Sequence, residues 1–435
     1  MQRALCLFTV LALMGCDTDP PPLPADARVM RRDTGTTPDG GRRDGGPDSG
    51  LDAGPPADGG DDAGMDGGSD GGPPPMVDCT VLDDPPMDLG LDRRAEERPP
   101  AVVAGTDHFG IAWIAQDAIQ DVVRFVRVGS GSGMGSTVEL GTVGLTTDSA
   151  ALARFSDGDF LVGWTDNDEG NFEVVLRSVS ASGVVGARRV LTTDPGRDDG
   201  VALLATGADA ALVSWVRSNA VDSTLDGLVQ SVDASGTASG SANSLGLGVP
   251  LALVDESSGP AAYWRNGLRA ESRDIGASGF TGMLRRLDTE ENAAGDVSGT
   301  RVASFHAAAF PARVGVRSEL RFRPLDADGV ARAPERQITP PPEQGFGVAL
   351  GSFAGGVAAA YRSSDPAVSE PTVRLRFLSD LGEVRGTFDV ANTTTAGGEV
   401  AFGVAGDGRM LVAWGTPETD GTRYRAARVE CTDAF

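Results

Sequence analysis

Residues 200–248 read GVALLATGADAALVSWVRSNAVDSTLDGLVQSVDASGTASGSANSLGLG, and this stretch contains the pattern that decides the fold. Two short apolar runs, 201–205 and 211–215, are separated by the turn residues Gly207-Ala208-Asp209. The segment 228–232 alternates apolar and polar residues as a half-buried strand does, and a weaker run reaches Leu247. Short runs separated by Gly- and Asp-containing turns predict four antiparallel strands in this stretch.

The same pattern recurs about every 50 residues. Tryptophans mark one position of the repeat, at Trp113, Trp164, Trp215, Trp264 and Trp414, and we expect Val314 and Tyr361 to occupy this position in the two repeats without Trp. A small residue lies about 12 positions upstream each time: Ala101, Ala151, Ala202, Ala252, Ala303, Ala349 and Ala401. Seven four-stranded repeats predict an all-β, seven-bladed β-propeller, with the alanines on the innermost strands and the large aromatics between blades.

The first 16 residues, MQRALCLFTVLALMGC, have the features of an export signal. Arg3 precedes an apolar run that is shorter than the roughly 20 residues needed to span a bilayer and has the size of a signal-peptide core. The ending Leu13-Met14-Gly15-Cys16 resembles the lipobox of bacterial lipoproteins. That resemblance implies cleavage before Cys16, acylation of Cys16 and anchoring in the cell envelope, which we expect to be at the outer membrane or cell surface rather than the inner membrane. An ordinary signal peptide and a short membrane anchor are the alternatives.

Residues 17–78 differ in composition from the rest of the chain. They contain 14 Asp, 14 Gly and 11 Pro but no aromatic residue. Such a segment cannot bury enough apolar surface to offset its ordering entropy, so the sequence predicts a disordered linker over 17–78 and a propeller over 79–435. The alternative, a calcium-binding array, is disfavoured because no stretch matches the D-x-[DN]-x-[DN]-G loop.

The cysteines indicate how the ring closes. The seventh repeat, from Val400, has room for three strands, and an N-terminal strand starting at Cys79 can supply the fourth. Cys6 lies in the signal and Cys16 in the lipobox, which leaves Cys79 and Cys431 at the ends of two strands expected to pair. An exported protein is oxidised, so we predict a Cys79–Cys431 disulfide. A shared metal site is the competing interpretation, and it lacks a third ligand.

Composition excludes several classes of chemistry. All 37 basic residues are Arg, so lysine Schiff bases and a P-loop lysine are excluded. The net charge of −25 argues against nucleic acid as a partner. The two histidines, His108 and His306, are expected near first-to-second-strand turns of non-neighbouring blades, where they cannot share a metal site or triad.

Acidic residues are concentrated in the loops that we place on one rim of the ring. The candidates for binding a ligand or cation are Asp166, Asp168, Glu169, Asp222, Asp226, Asp365, Glu370, Glu418 and Asp420, with Asp194, Asp198 and Asp199 in a loop between blades. Several acids on one rim can hold Ca²⁺, attract a cationic partner or form an acid–base pair. The simpler interpretation is that exposed loops of an acidic protein are acidic, and we predict no cofactor.

Single motifs resemble pieces of known propeller families. Trp164-Thr165-Asp166 resembles a WD dipeptide, Gly355-Gly356 a kelch glycine pair and Ser156-Asp157-Gly158-Asp159 a sialidase box, but none of the three families' full patterns repeats along this chain. The resemblance is therefore to secreted bacterial propeller lipoproteins in general. It favours a non-enzymatic, membrane-anchored scaffold that binds a protein or glycan. The alternatives are a secreted carbohydrate hydrolase or lyase that uses rim carboxylates, and a structural subunit of an envelope complex.

Overall fold

A computed structural model describes residues 77–92, 99–117, 120–143, 149–167, 170–256, 258–366, 370–394 and 398–432. The export signal, Cys16, all but the last two residues of the linker, Asp168 and Glu169 lie outside these ranges. No helix in the described ranges has the length and apolar character to cross a membrane. These ranges fold into strands that associate in seven antiparallel sheets.

In chain order the strands are β1 Asp78–Val81, β2 Met87–Asp92, β3 Ala101–Ala104, β4 His108–Asp117, β5 Gln120–Gly129, β6 Gly133–Met134, β7 Val138–Val143, β8 Ala151–Arg154, β9 Phe160–Asp166, β10 Glu173–Val179, β11 Arg189–Val190, β12 Arg197–Ala205, β13 Ala210–Ser218, β14 Leu225–Asp233, β15 Ala238–Ser244, β16 Ala252–Glu256, β17 Gly259–Asn266, β18 Arg269–Gly276, β19 Gly279–Phe280, β20 Arg285–Arg286, β21 Ser298–Val302, β22 Phe305–Val314, β23 Arg317–Leu325, β24 Arg336–Gln337, β25 Gln344–Phe353, β26 Gly356–Ser364, β27 Thr372–Leu378, β28 Val384–Asn392, β29 Val400–Val404, β30 Met410–Glu418 and β31 Gly421–Thr432.

Each sheet is one blade of a ring. Blade 1 is β3–β7, blade 2 is β8–β11, blade 3 is β12–β15, blade 4 is β16–β20, blade 5 is β21–β24, blade 6 is β25–β28, and blade 7 is β29–β31 with β1 and β2. The innermost strands contact one another in sequence from β3 through β8, β12, β16, β21, β25 and β29, and β29 contacts β3. The prediction of a seven-bladed β-propeller is therefore confirmed.

Apolar clusters between neighbouring blades hold the ring together, and each contains one large aromatic residue of the repeat. These residues are Trp113, Trp164, Trp215, Trp264, Phe310, Tyr361 and Trp414. All of them are at most 2% exposed. Because blades diverge with distance from the axis, a large side chain here fills space that a small one would leave empty. The expectation that the tryptophans lie between blades is confirmed.

The alanine register is also confirmed in six blades. Ala101, Ala151, Ala202, Ala252, Ala349 and Ala401 lie on the innermost strands, and each pairs with the residue just before the large aromatic. Small side chains suit these strands because seven of them crowd around one axis.

The predicted register of blade 5 is wrong. Val314 is 40% exposed at the end of β22, and Ala303 lies in the exposed turn before this strand. Their places are taken by Phe310, which is fully buried, and by Ser298, which pairs with Ala309. Phe310 follows Trp264 by only 46 residues, because the β17–β18 hairpin turns after Asn266, two residues beyond Trp264, whereas the β22–β23 hairpin turns after Val314, four residues beyond Phe310.

Blade 7 closes the ring by combining the first two strands of the described chain with the last three. Both β1 and β2 pair with β31, so the fourth strand of this blade comes from the N-terminal side, in two pieces. Cys79 lies directly opposite Cys431, and their sulfurs are bonded at 2.01 Å. The predicted closure and disulfide are both confirmed.

Candidate functional site

The axis of the ring opens into a cavity of about 920 Å³ on one face. We call this opening the channel mouth, and the face that carries it, with its second-to-third-strand hairpins and the connections between blades, the channel face. Every blade contributes to the lining, through Pro99, Ser149, Val201, Leu251, Asp296, Val348 and Val400. The channel mouth therefore depends on the closed ring and not on any single blade.

Two glycine bulges shape the channel mouth. Gly200 in β12 and Gly347 in β25 have φ of +67° and +49°, and the pairing register shifts at both. Glycine is suited to this backbone conformation because it has no Cβ. A Cβ on Gly347 would lie 2.6 Å from the Cα of Glu399 and from the carbonyl oxygen of Gly398. The bulge thus brings blade 6 into backbone contact with blade 7 at the channel mouth.

Charges of both signs line the channel mouth. Asp296 and Glu399 are acidic, whereas Arg313 and Arg317 are basic. Arg317 donates to Glu319 at 3.0 Å, while Arg313 is exposed and forms no ion pair with a carboxylate of the described residues. In a chain of net charge −25, the lining is thus locally balanced in charge.

The predicted rim acids of blades 2 and 3 already have partners within the protein. Asp166 is 1% exposed and accepts from Arg188 at 2.7 Å. Asp222 accepts from the Thr224 hydroxyl at 2.8 Å and from its amide at 3.1 Å, and these hydrogen bonds lower the pKa of Asp222. Asp226 accepts from the Ser244 hydroxyl at 2.8 Å. These carboxylates stabilise their own blades.

Two arginines pair with the acids of the segment between blades 2 and 3. Arg217 pairs with Asp198 at 2.8 Å and with Asp194 at 2.7 Å, and Asp199 pairs with Arg197 at 2.5 Å. All three acids of this loop are therefore in ion pairs.

The remaining rim acids lie in blades 6 and 7. Glu418 pairs with Arg423 at 2.9 Å and lies 3.6 Å from Arg425, and Asp420 is exposed in the adjacent turn. Asp365 is half-buried and Glu370 is exposed, on either side of residues 367–369. The described residues contain no group of three or more His, Cys, Asp or Glu side chains that could hold a metal ion.

The histidines lie on the face opposite the channel mouth, as expected. His108 begins β4 in blade 1, where its Nδ1 lies 2.7 Å from the Asp107 carboxylate and its Nε2 accepts from Arg154 at 3.3 Å. His306 lies in β22 of blade 5, and burial lowers its pKa. The two imidazoles do not form a joint site.

Below the rim of blade 6 lies a buried carboxylate that the sequence analysis missed. Glu343 is 3% exposed and accepts from Tyr361 at 2.9 Å, Ser363 at 2.8 Å, Arg374 at 2.9 Å and Arg376 at 3.0 Å. Burial, followed by the repulsion between a phenolate and Glu343, raises the pKa of Tyr361. Glu343 sits between β25, β26 and β27, so its network fixes the base of a rim loop and is inaccessible to ligand.

A basic sector of the rim was not predicted from the sequence either. The hairpin between β17 and β18 reads Arg265-Asn266-Gly267-Leu268-Arg269, and the one between β22 and β23 reads Arg313-Val314-Gly315-Val316-Arg317. The signal was present as a five-residue pattern repeated after 48 positions in adjacent blades. We call these two segments the arginine tips.

No family model and no curated protein matches this chain. Among solved structures, the polysaccharide lyase Uly1 is similar at 10% identity and a TM-score of 0.49 over 82% of this chain and 100% of the lyase. The WD40 domain of Toxoplasma gondii coronin is similar at 10% identity and a TM-score of 0.43 over 81% of this chain and 86% of that domain.

A subtype N11 neuraminidase-like protein of A/flat-faced bat/Peru/033/2010 (H18N11) is similar at 8% identity and a TM-score of 0.40, over 83% of this chain and 95% of that protein. Likenesses this distant carry no information about activity. The strand pairing and the closed ring of blades identify the chain as a seven-bladed β-propeller.

Proposed function

We propose that this protein is a non-enzymatic binding scaffold, held at the cell envelope by a lipid on Cys16, that binds a protein or glycan ligand at the channel mouth. The observation that carries the proposal is the cavity of about 920 Å³, which all seven blades line and which contains charges of both signs. Binding sites for small molecules commonly have volumes of roughly 300–1,000 Å³.

The state of the rim carboxylates favours binding over hydrolysis. A glycosidase needs two carboxyl groups at a set separation across the scissile bond. In the described rim, Asp166 and Glu418 belong to different blades and are each paired with arginine, and Asp222 caps its own turn. Carboxylates engaged in this way are suited to holding the loops in place.

The test is to obstruct the channel mouth without disturbing the fold. Val316 lines the channel mouth and is 93% exposed, whereas Val184 is 67% exposed in a turn of the opposite face. Val316→Trp and Val184→Trp therefore place the same bulk on opposite sides of the ring. The full-length protein, kept in mild detergent, would be screened against printed arrays of glycans and peptides.

We expect array ligands to be lost with Val316→Trp and kept with Val184→Trp. Equal loss with both variants would overturn the placement of the site at the channel mouth. Turnover of a glycoside that Glu418→Gln abolishes would overturn the non-enzymatic function.

A further inference from the structure

The arginine tips share one geometry. Asn266 pairs with Arg269 and Val314 with Arg317, so each hairpin closes through a two-residue turn that begins with glycine. Gly267 and Gly315 have φ of +61° and +63°. The residue that follows the glycine projects into solvent, and Leu268 is 58% exposed and Val316 93% exposed. Two adjacent blades thus each present an exposed aliphatic side chain, Leu268 or Val316, with an arginine three residues before it and another directly after it.

Positive charge is concentrated at these tips. Arg265 and Arg313 are exposed, and neither forms an ion pair with a carboxylate of the described residues. Arg269 pairs with Glu291, and both side chains are about half exposed. A cationic sector in a protein of net charge −25 concentrates anionic ligands locally, although the protein as a whole repels them.

Exposed aliphatic side chains continue from the tips into blade 3. In the hairpin between β13 and β14, Val221 is 94% exposed and Leu225 is 55% exposed. A single exposed aliphatic residue is ordinary, but a series along three consecutive hairpins is characteristic of interaction surfaces.

We propose that the arginine tips form a docking site for an acidic segment of a partner protein that also carries aliphatic side chains. The guanidinium groups of Arg265 and Arg313 would bind carboxylates of the segment, for which their planar forks are suited. Leu268 and Val316 would contact its aliphatic residues. This inference deepens the proposed function and rests on it, because Arg313 and Val316 also line the channel mouth.

Charge distribution favours a peptide over an anionic membrane surface. A flat surface would meet the whole rim, including the exposed Glu370, Glu418 and Asp420 of blades 6 and 7. Those acids repel anionic headgroups, whereas a peptide can contact the tips alone. Neither tip contains an aromatic side chain, so sugar stacking contributes nothing there.

The probe is a short fluorescein-labelled peptide in which Glu and Leu alternate, measured by anisotropy with the full-length protein. Matched peptides replace Glu by Gln or Leu by Ser. We expect the double variant Arg265→Ser/Arg313→Ser to weaken binding of the Glu/Leu peptide at least about tenfold, and Leu268→Ser/Val316→Ser to weaken it severalfold.

The controls make the same changes elsewhere on the ring. Arg189 and Arg336 are exposed on the short fourth strands of blades 2 and 5, and Val184 and Val330 are exposed in turns of the opposite face. Replacing each pair by Ser should leave binding unchanged. Raising the salt concentration should weaken binding of the Glu/Leu peptide and leave the Gln peptide unaffected.

Several results would overturn the docking site: equal weakening by the control variants, equal affinity for the Gln peptide, or tighter binding of polygalacturonate or phosphatidylglycerol vesicles at the tips. Array ligands that Val316→Trp blocks and the arginine variant leaves unchanged would overturn the docking site alone. Binding of the Glu/Leu peptide that persists with Val316→Trp would show that the array ligands and the peptide do not share the channel mouth as a binding site.

Discussion

Phe310 and Trp264 occupy the same position in successive blades, since each directly follows the residue that pairs with the first residue of the innermost strand. Phe310 is fully buried between blades 4 and 5. Phe310→Ala would leave a cavity there and should lower the free energy of unfolding by about 3–5 kcal/mol. Val314→Ala, four residues further along β22 and exposed, should change it by less than about 0.5 kcal/mol. Urea denaturation followed by tryptophan fluorescence measures both. A larger loss of unfolding free energy for Val314→Ala than for Phe310→Ala would support Val314 as the interblade residue, as the repeat length alone predicted.

Removing the ring-closing bond should destabilise the whole propeller. Cys79 and Cys431 are separated by 352 residues, so the reduced unfolded chain gains considerable freedom. We expect Cys79→Ser/Cys431→Ser to lower the free energy of unfolding by about 2–5 kcal/mol. The control is wild type measured with a reductant, which should match the double variant. Coincident unfolding curves for oxidised wild type and the variant would contradict a stabilising role.

Asp407 joins blade 7 to blade 1 and should make stability depend on pH. Burial raises the pKa of Asp407, but hydrogen bonds from the Ser130 hydroxyl, at 2.6 Å, and from Arg409 outweigh it, so the pKa is lowered overall. The folded state then binds this proton less readily than the unfolded chain. The contribution is present above the unfolded pKa of about 3.9 and is lost as pH falls through the lower folded-state pKa. Asp407→Asn should therefore be less stable than wild type at pH 6 and approach it near pH 3, as measured by urea denaturation. A difference in unfolding free energy between wild type and Asp407→Asn that stays constant from pH 6 to pH 3 would contradict the lowered pKa of Asp407.

Glu343 compensates buried positive charge in blade 6. Arg376 is 4% exposed, and Glu343→Ala would leave its guanidinium without its carboxylate partner. We expect a loss of about 3–5 kcal/mol in the free energy of unfolding. Glu383→Ala removes an exposed carboxylate from the same blade, at 2.9 Å from Arg385, and should cost less than about 1 kcal/mol. Denaturant titrations measure both variants. Similar losses of unfolding free energy for Glu343→Ala and Glu383→Ala would contradict the view that burial makes the Glu343 network important for stability.

The Gly347 bulge should tolerate no side chain. Gly347→Ala combines an unfavourable backbone conformation with a contact of 2.6 Å to blade 7. Gly240→Ala shares the positive φ, +83°, but its Cβ would meet no atom within 4 Å. We expect about 1 kcal/mol for Gly240→Ala and clearly more for Gly347→Ala. Melting temperatures of the two variants provide the comparison, and equal shifts would indicate that backbone strain alone matters.

The number of repeats, the large aromatic residue of six of the seven repeats and the closing disulfide could be predicted, because each follows a regular pattern in the sequence. Bulky aromatics return at near-constant spacing, and two cysteines fall at the ends of the ring. The register of blade 5 could not be predicted from spacing, because the β17–β18 hairpin of blade 4 has short strands that end two residues beyond Trp264, which shortens the repeat. Hydrophobicity did not help there, since Val314 and Phe310 are both apolar, and it is the pairing of β22 with β21 that places Phe310 in the interblade position.

The candidate site was less predictable than the fold. Rim carboxylates such as Asp166 and Asp198 stand out in the sequence, but their arginine partners lie about 20 residues further along the chain, and only the folded blade shows that they are paired. The channel mouth is assembled from many separate segments of the chain, so no local sequence pattern indicates it. The arginine tips can be recognised in the sequence as a repeated Arg-x-Gly-x-Arg pattern. Their proposed role depends on the fold, which places the two tips in adjacent blades on one rim.

The position of the disulfide bears on mechanical load. Any tension that arrives from the residues before Asp78 reaches Cys79 at the second residue of β1. From there it passes through a covalent bond into β31, which lies between β1 and β30 inside the sheet of blade 7. The hydrogen bonds between β1 and β31 therefore do not have to bear this tension. Force on the N-terminal segment is transmitted to an interior strand of blade 7 and does not peel the edge strand from the sheet.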